Sequence, residues 1–168
     1  MTSEPELPNR SPYIANEGPH PWRRYVAIGD SFTEGVGDPH PDSPGGLRGW
    51  ADRFAEVLAQ HNSELAYANL AVRGKLIQQI IEEQLPPALD LRPDLVSVCA
   101  GGNDVIRPGG DPDEVAAKLD GLVSQIRATG ATVLIGGLRN ASAVADAVLA
   151  LQDERQQRRN ACNVDLGA

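Results

Sequence analysis

The sequence has few of the residues that bind metals, form disulfides or hold nucleic acids. Its 168 residues include two cysteines, Cys99 and Cys162, and three histidines. The cysteines show neither metal-ligand spacing nor a disulfide framework, which predicts a reducing, cytoplasmic location with no metal and no cofactor. Fifteen Lys and Arg stand against 23 Asp and Glu, for a formal charge of -8. Because an acidic excess repels phosphate, we expect no nucleic-acid partner.

Long apolar runs are scarce as well. No stretch has the length of a membrane span, and the first two dozen residues lack the apolar core of a signal peptide. Residues 1–23 are rich in Pro, Glu, Asn and Ser, which predicts a flexible N-terminal lead-in. Residues 24–168 are enough for one compact domain and too few for two.

What the sequence does contain is an alternation of short apolar runs with amphipathic segments. Strands are predicted over residues 25–29, 65–70, 95–100 and 132–135, and helices over 50–61, 76–84, 112–129 and 142–159. Residues 162–166 are predicted to begin a fifth strand. The third helix is expected to start at the Asp111-Pro112 cap and to bury Val115, Leu119, Leu122 and Ile126. Such alternation predicts a parallel sheet with helices on both faces, a three-layer α/β/α domain.

The most informative segment is the apolar run that stops at Gly29-Asp30-Ser31. A serine that follows a strand stands at the carboxyl edge of the sheet, where open α/β folds bind their ligands. Helix N-termini at that edge favour negative charge. From the residues alone, Ser31 is either a nucleophile or the cap of a following helix.

Two further segments carry groups of the same kind. Residues 69–74 read Asn-Leu-Ala-Val-Arg-Gly, and residues 100–104 read Ala-Gly-Gly-Asn-Asp. Gly74 permits close approach of the backbone to a ligand, or forms the turn that enters a helix. Asn103 offers an amide that can donate to a developing oxyanion, or it ends the strand in a turn.

In order and spacing, these three segments resemble the first three motif blocks of the SGNH (GDSL-type) hydrolases. The resemblance covers residues 25 to about 135 and implies a flavodoxin-like parallel sheet, the SGNH hydrolase fold. It also implies that Ser31 attacks an ester carbonyl and forms an acyl-enzyme. The oxyanion donors would be the Ser31 and Gly74 N–H groups and the Asn103 amide. Asp30 and Asp104 are expected to support these loops by hydrogen bonds.

The chain departs from the family in its fourth block, Asp-x-x-His, which supplies the general base. The histidines are His20, His40 and His61, and none follows the last predicted strand. We expect His61 at the opposite edge of the sheet and His40 in a loop nearer Ser31. No general base is therefore found. The expected fold is C-terminally incomplete, as in a fragment, a frame-shifted product or a natural pseudoenzyme.

The sequence thus predicts a serine esterase or lipase that acts on a small-molecule ester, impaired by the missing base. One alternative is a non-catalytic module that binds an ester or a glycan in the same cleft. Another is a phosphate-binding domain with residues 29–37 as the anion loop, which three acidic side chains in and beside that loop oppose. Loop 37–49, with Leu47 and Trp50, is either a specificity element or a packed surface loop. Neither the particular ester nor the oligomeric state can be predicted.

Overall fold

The computed structural model describes residues 20–136. The strands are β1 (Arg24–Gly29), β2 (Ala66–Asn69), β3 (Leu95–Cys99) and β4 (Thr132–Ile135). The helices are α1 (Ser31–Glu34), α2 (Trp50–His61), α3 (Ile77–Glu83), α4 (Leu85–Asp90), α5 (Gly102–Val105) and α6 (Pro112–Ala128), with a 3-10 turn at Pro44–Gly46. The helix predicted over 142–159 and the strand predicted over 162–166 lie outside the described residues.

The four strands form one parallel sheet in the order β2-β1-β3-β4. Tyr25 of β1 pairs with Tyr67 on one side and with Leu95 on the other. The prediction of a parallel sheet is confirmed. Because β1 is an inner strand, the residues that follow it stand in the middle of the carboxyl edge.

Both faces of the sheet are buried, as alternate residues of β1 show. Val26 and Ile28 point to one side, into a core that α3, α4 and α6 cover. Tyr25 and Ala27 point to the other side and pack against α2. The predicted three-layer α/β/α architecture is therefore confirmed for the described residues.

Helix α6 begins as predicted, with Asp111 as its cap. The Asp111 carboxylate accepts from the Asp113 N–H at 2.9 Å, and Pro112 occupies the first turn. The predicted core of this helix is half right. Leu122 and Ile126 are fully buried, whereas Val115 and Leu119 are half-buried.

Three short helices were not predicted. Helices α1 and α5 are single turns that follow β1 and β3 directly, too short to show a period of 3.6 residues. Helix α4 carries Pro86 and Pro87 in its first turn, where the missing N–H groups have no intrahelical partner to lose. The same prolines in the sequence suggest a break.

Tyr25 is the largest fully buried side chain of the sheet. Its hydroxyl shares a 2.7 Å hydrogen bond with Ser97 Oγ, and its ring stacks on Tyr67 with centroids 5.0 Å apart. Burial raises the pKa of Tyr25 to about 12, against the lowering effect of the Ser97 bond. Burial, with Asp52, also raises the pKa of Tyr67.

The raised pKa of Tyr25 predicts a loss of stability in alkali. The neutral phenol stabilises the fold fully below pH 10, and this contribution is lost as the pH rises from 10 towards 12. By linkage, we expect the free energy of unfolding to fall by about 1.4 kcal/mol from this group between pH 8 and pH 11. Urea unfolding of wild type and Tyr25→Phe at both pH values measures it. The variant should show the smaller fall, with Tyr67 responsible for part of what remains; equal falls would contradict the assignment.

Candidate active site

The carboxyl end of β1 is formed at Gly29, in a place that only glycine fits. Its φ is 154°, and a Cβ there would lie 2.4 Å from the Cys99 carbonyl oxygen and 2.7 Å from Thr33 Oγ1. Both distances are below any real carbon contact. Strand β3 lies very close to the backbone at Gly29. After this residue the chain leaves the sheet and forms the turn that contains Asp30 and Ser31.

A buried glutamine holds the Gly29 backbone from the side. Gln84 joins α3 to α4 and is 3% exposed. Its Oε1 accepts from the Gly29 N–H at 2.8 Å, and its Nε2 donates to the Gly29 carbonyl at 2.9 Å. The amide thus gives the Gly29 N–H its acceptor and gives the Gly29 carbonyl a second donor.

Helix α1 begins with Asp30 as its cap and Ser31 as its first residue. The Asp30 carboxylate accepts from the Phe32 N–H at 3.1 Å, and the Asp30 carbonyl accepts from Thr33 and Glu34. Among residues 20–136, no acceptor takes the Ser31 N–H. The cap interpretation of Ser31 is wrong, because Asp30 fills that position.

The chain after β2 makes a turn from Val72 to Lys75 with Gly74 in its third place. Gly74 has a φ of 76°, which lies in the left-handed region. Glycine is favoured in this place of a turn because it adopts such values without strain. Val72 N–H donates to the Gly29 carbonyl at 3.2 Å, and Arg73 N–H donates to Glu34 at 2.7 Å. The Gly74 N–H has no acceptor within the described part of the chain.

Asn103 of α5 brings these two segments together. Its Nδ2 donates to the Lys75 carbonyl at 3.0 Å and lies 3.4 Å from Asp30 Oδ2. The amide therefore lies between the neighbour of Gly74 and the neighbour of Ser31. The second bond is long, so one amide proton is only weakly engaged.

Asp104 joins the third loop to a helix. Its Oδ2 accepts from the N–H of Ile77, the first residue of α3, at 2.9 Å. A carboxylate at a helix N-terminus accepts from a backbone N–H that has no partner in the helix, and its charge interacts favourably with the helix dipole. The residue after Asn103 thereby orders the entry to α3.

Burial shapes the electrostatics around Ser31. It raises the pKa of the Asp30 carboxyl, which the Phe32 N–H opposes and the negative charge of Asp104 reinforces. Burial, together with Asp30, also raises the pKa of the Cys99 thiol. A thiol kept protonated is a poor nucleophile. In residues 20–136, no three His, Cys, Asp or Glu side chains are grouped as a metal site.

The three histidines lie in three different segments of the described chain. His20 Nε2 donates to the Leu58 carbonyl at 2.7 Å, and its ring stacks on Trp22. His61 ends α2 where Asn62 donates to the Trp22 carbonyl, at the amino edge of the sheet. His40, in the loop after α1, lies 3.4 Å from Ser43 Oγ. No histidine of the described residues makes a hydrogen bond with Ser31.

A cavity of about 510 Å³ lies between the loop after α1, helix α2 and strand β2. Leu47 lines it together with Glu34, Tyr67 and Asn69. Trp50 does not line it, because it begins α2 with its side chain partly exposed. Asn69 Nδ2 donates to the Thr33 carbonyl at 2.8 Å, which fixes this wall to α1.

Three residues of this edge were missed in the sequence: Glu34, Arg73 and Gln84. Gln84 did leave a signal, because it continues the buried phase of Ile77 and Ile80 at helical spacing. An amide in that phase predicts a buried polar contact. Glu34 and Arg73 gave no such signal in the sequence. Two single charged residues 39 positions apart do not reveal that they form a pair.

A doubly wound α/β domain with a serine turn, a glycine turn and an asparagine at one sheet edge defines a hydrolase-like class of site. Residues 27–166 match the model of the GDSL-like lipase/acylhydrolase family. The chain belongs to that family. No curated protein matches the sequence.

Solved structures show the same fold. AlinE4, an SGNH-hydrolase family esterase, is 25% identical with a TM-score of 0.57, and the match covers 70% of this chain and 59% of AlinE4. TesA is 25% identical, with a TM-score of 0.60 and coverage of 77% and 74%. An acetylxylan esterase, Axe2 from Geobacillus stearothermophilus, is 20% identical with a TM-score of 0.54 and coverage of 82% and 73%. The chain spans less than two thirds of AlinE4.

Replacement of Gln84 by Met tests how far the site depends on its amide. The buried Gly29 N–H loses its acceptor, so we expect a loss of about 1–3 kcal/mol in the free energy of unfolding. Gln78→Met is the matched control, since Gln78 is exposed on α3, and it should change stability by less than about 0.5 kcal/mol. Chemical denaturation of both variants measures the difference, and equal stabilities would refute the role of Gln84.

Proposed function

We propose that this chain is a carboxylic ester hydrolase that works through an acyl-enzyme at Ser31. The observation that carries the proposal is the set of donors around Asn103. The N–H groups of Ser31 and Gly74 have no acceptor within residues 20–136, and the Asn103 amide contacts a neighbour of each. Such donors, held by the surrounding backbone, are what a tetrahedral oxyanion requires.

In the proposed reaction, Ser31 Oγ bonds to the carbonyl carbon of the ester and its proton passes to a base. The carbonyl oxygen becomes an oxyanion that accepts from the Ser31 and Gly74 N–H groups and from Asn103. Collapse breaks the bond to the alcohol oxygen, which leaves as the alcohol after taking up a proton. Water then cleaves the acyl-Ser31 ester by the same steps and releases the acid.

The base is the weak part of this site. In the described residues no imidazole is hydrogen-bonded to Ser31: His20 bonds the Leu58 carbonyl, His40 lies 3.4 Å from Ser43 Oγ, and His61 ends α2. Serine hydrolases that lack a triad member retain about 10³–10⁴ over water through oxyanion donors and binding alone. We therefore expect slow turnover from this chain.

A small soluble ester is the substrate class that fits best. AlinE4 is an esterase, and the large apolar side chains of Phe32 and Val72 are exposed beside two of the proposed donors. In the described part of the chain, no helix is long and apolar enough to cross a membrane. The particular acyl and alcohol groups follow from loops such as residues 37–49.

The proposed nucleophile is tested with an activated aryl acetate and the purified chain. We expect Ser31→Ala to lower the initial rate below that of wild type, towards what the oxyanion donors and binding supply alone, because no acyl-enzyme can form. The readout is release of the phenol, with folding of the variant checked by circular dichroism. Equal rates for wild type and Ser31→Ala would rule out the mechanism.

The side-chain donor is tested by Asn103→Ala. We expect kcat to fall by about 10² or to the limit of detection, since removal of one oxyanion donor costs about 10²–10³. Asn62→Ala is the control, because its amide bonds the Trp22 carbonyl at the opposite edge of the sheet. The same loss in both variants would indicate general destabilisation instead of a lost donor.

A second candidate function is a non-catalytic ester-binding or glycan-binding module, favoured by the lack of a histidine contact at Ser31 in residues 20–136. A fluorophosphonate probe separates the two functions. Covalent labelling at Ser31, found by mass spectrometry, supports the hydrolase. Ligand binding by calorimetry with no labelling and no turnover supports the binding module.

A further inference from the structure

We propose that Glu34 is a positioning residue, whose carboxylate joins the helix carrying Ser31 to the turn carrying Gly74 and so fixes the two backbone donors relative to each other. The proposal rests on the proposed function. Glu34 is the last residue of α1, which begins at Ser31, and Arg73 directly precedes Gly74. One carboxylate thus spans the gap between the two donors.

The contact is made to the backbone as well as to a side chain. Glu34 Oε2 accepts from the Arg73 N–H at 2.7 Å and from Nε at 3.0 Å, while Oε1 accepts from Nη2 at 2.9 Å. Hydrogen bonds to a carboxylate are short and stronger than neutral ones. Because the Arg73 N–H lies one peptide before that of Gly74, its bond orients the peptide plane next to the proposed donor.

The turn has little else to hold it. Its own closing bond, from the Lys75 N–H to the Val72 carbonyl, is long at 3.4 Å. A Cβ built on Gly74 would meet nothing within 4 Å, so no packing supports that position. Within residues 20–136, the backbone of the turn makes three external bonds: the one from Val72 to Gly29, the one from Asn103 to Lys75, and the one from Arg73 to Glu34. Only the last connects it to α1.

A surface ion pair alone would not do this. The Arg73 side chain is 60% exposed, and exposed pairs contribute little to stability. The chain contains a matched example in Arg48 and Glu56, where the guanidinium donates Nε to the carboxylate at 2.7 Å. Within residues 20–136, Glu56 accepts from side-chain atoms of Arg48 and from no backbone N–H, so it serves as the control for an ion pair without a backbone bond.

Kinetics of four variants test the proposal with the full 168-residue chain and an aryl acetate. We expect Glu34→Ala to lower kcat about ten-fold with KM little changed, a fraction of the cost of losing a whole donor. Arg73→Ala keeps the bond between Glu34 and the residue-73 N–H, so kcat should stay within about two-fold of wild type, as in Glu56→Ala. Glu34→Gln should recover part of the loss, because its amide oxygen still accepts.

A second measurement does not need turnover. The backbone order parameter of the Gly74 amide, from ¹⁵N relaxation, should fall below about 0.6 in Glu34→Ala and stay near wild type in Arg73→Ala and Glu56→Ala. Unchanged kcat and an unchanged Gly74 amide in Glu34→Ala would overturn the proposal. So would equal effects of Arg73→Ala and Glu34→Ala, since the ion pair and not the backbone bond would then act.

The two proposals fail in different ways. If wild type and Ser31→Ala release phenol at the same rate, the esterase is refuted while the Gly74 order parameter still decides whether Glu34 holds the turn. If Ser31→Ala abolishes turnover but Glu34→Ala changes neither measurement, the esterase is supported and the role of Glu34 is refuted.

Discussion

The geometry of this molecule depends on the peptide groups at the end of β1. Gly29 approaches β3 so closely that no side chain fits, and its carbonyl accepts from both Val72 and Gln84. Three segments distant in sequence therefore meet at one residue: the serine turn, the chain after β2 and the junction of α3 with α4. Buried backbone groups must find partners, and here one glutamine side chain supplies both a donor and an acceptor where the ladder stops.

Around that point, each loop is held to its neighbour by polar side chains and not by apolar packing. Every loop gives a side chain to the backbone of another, and the exchange is mutual between the segments that carry Ser31 and Gly74. The contacts are Asn69 to Thr33, Asn103 to Lys75, Asp104 to Ile77 and Glu34 to Arg73. A site assembled in this way stays open to solvent and still has defined positions, because hydrogen bonds fix direction as well as distance.

The sequence predicts the layers well and the connections poorly. The period of residues 50–61 predicts α2 with the bounds that the structure shows, and the apolar runs predict all four described strands. The segments with Ser31, Gly74 and Asn103 were singled out by the order and spacing of three short motifs, since each of these residues alone also fits a turn or a cap. Gln84 was missed because its partner is a backbone 55 residues away, and α4 was missed because Pro86 and Pro87 resemble a break. A period can show that a polar residue is buried, but it does not show which distant group that residue contacts.

The position of β1 in the sheet also governs how the chain can fold. Tyr25 of β1 pairs with Leu95 of β3, seventy residues later in the chain. The strand that leads to Ser31 therefore has a neighbour on both sides only after most of the described chain has been made. Contacts between residues so far apart in sequence raise the entropic cost of loop closure and slow folding. During synthesis, the apolar residues of β1 leave the ribosome well before their partners. The same topology that centres Ser31 therefore leaves an edge of its strand unpaired in the nascent chain until β3 has been made.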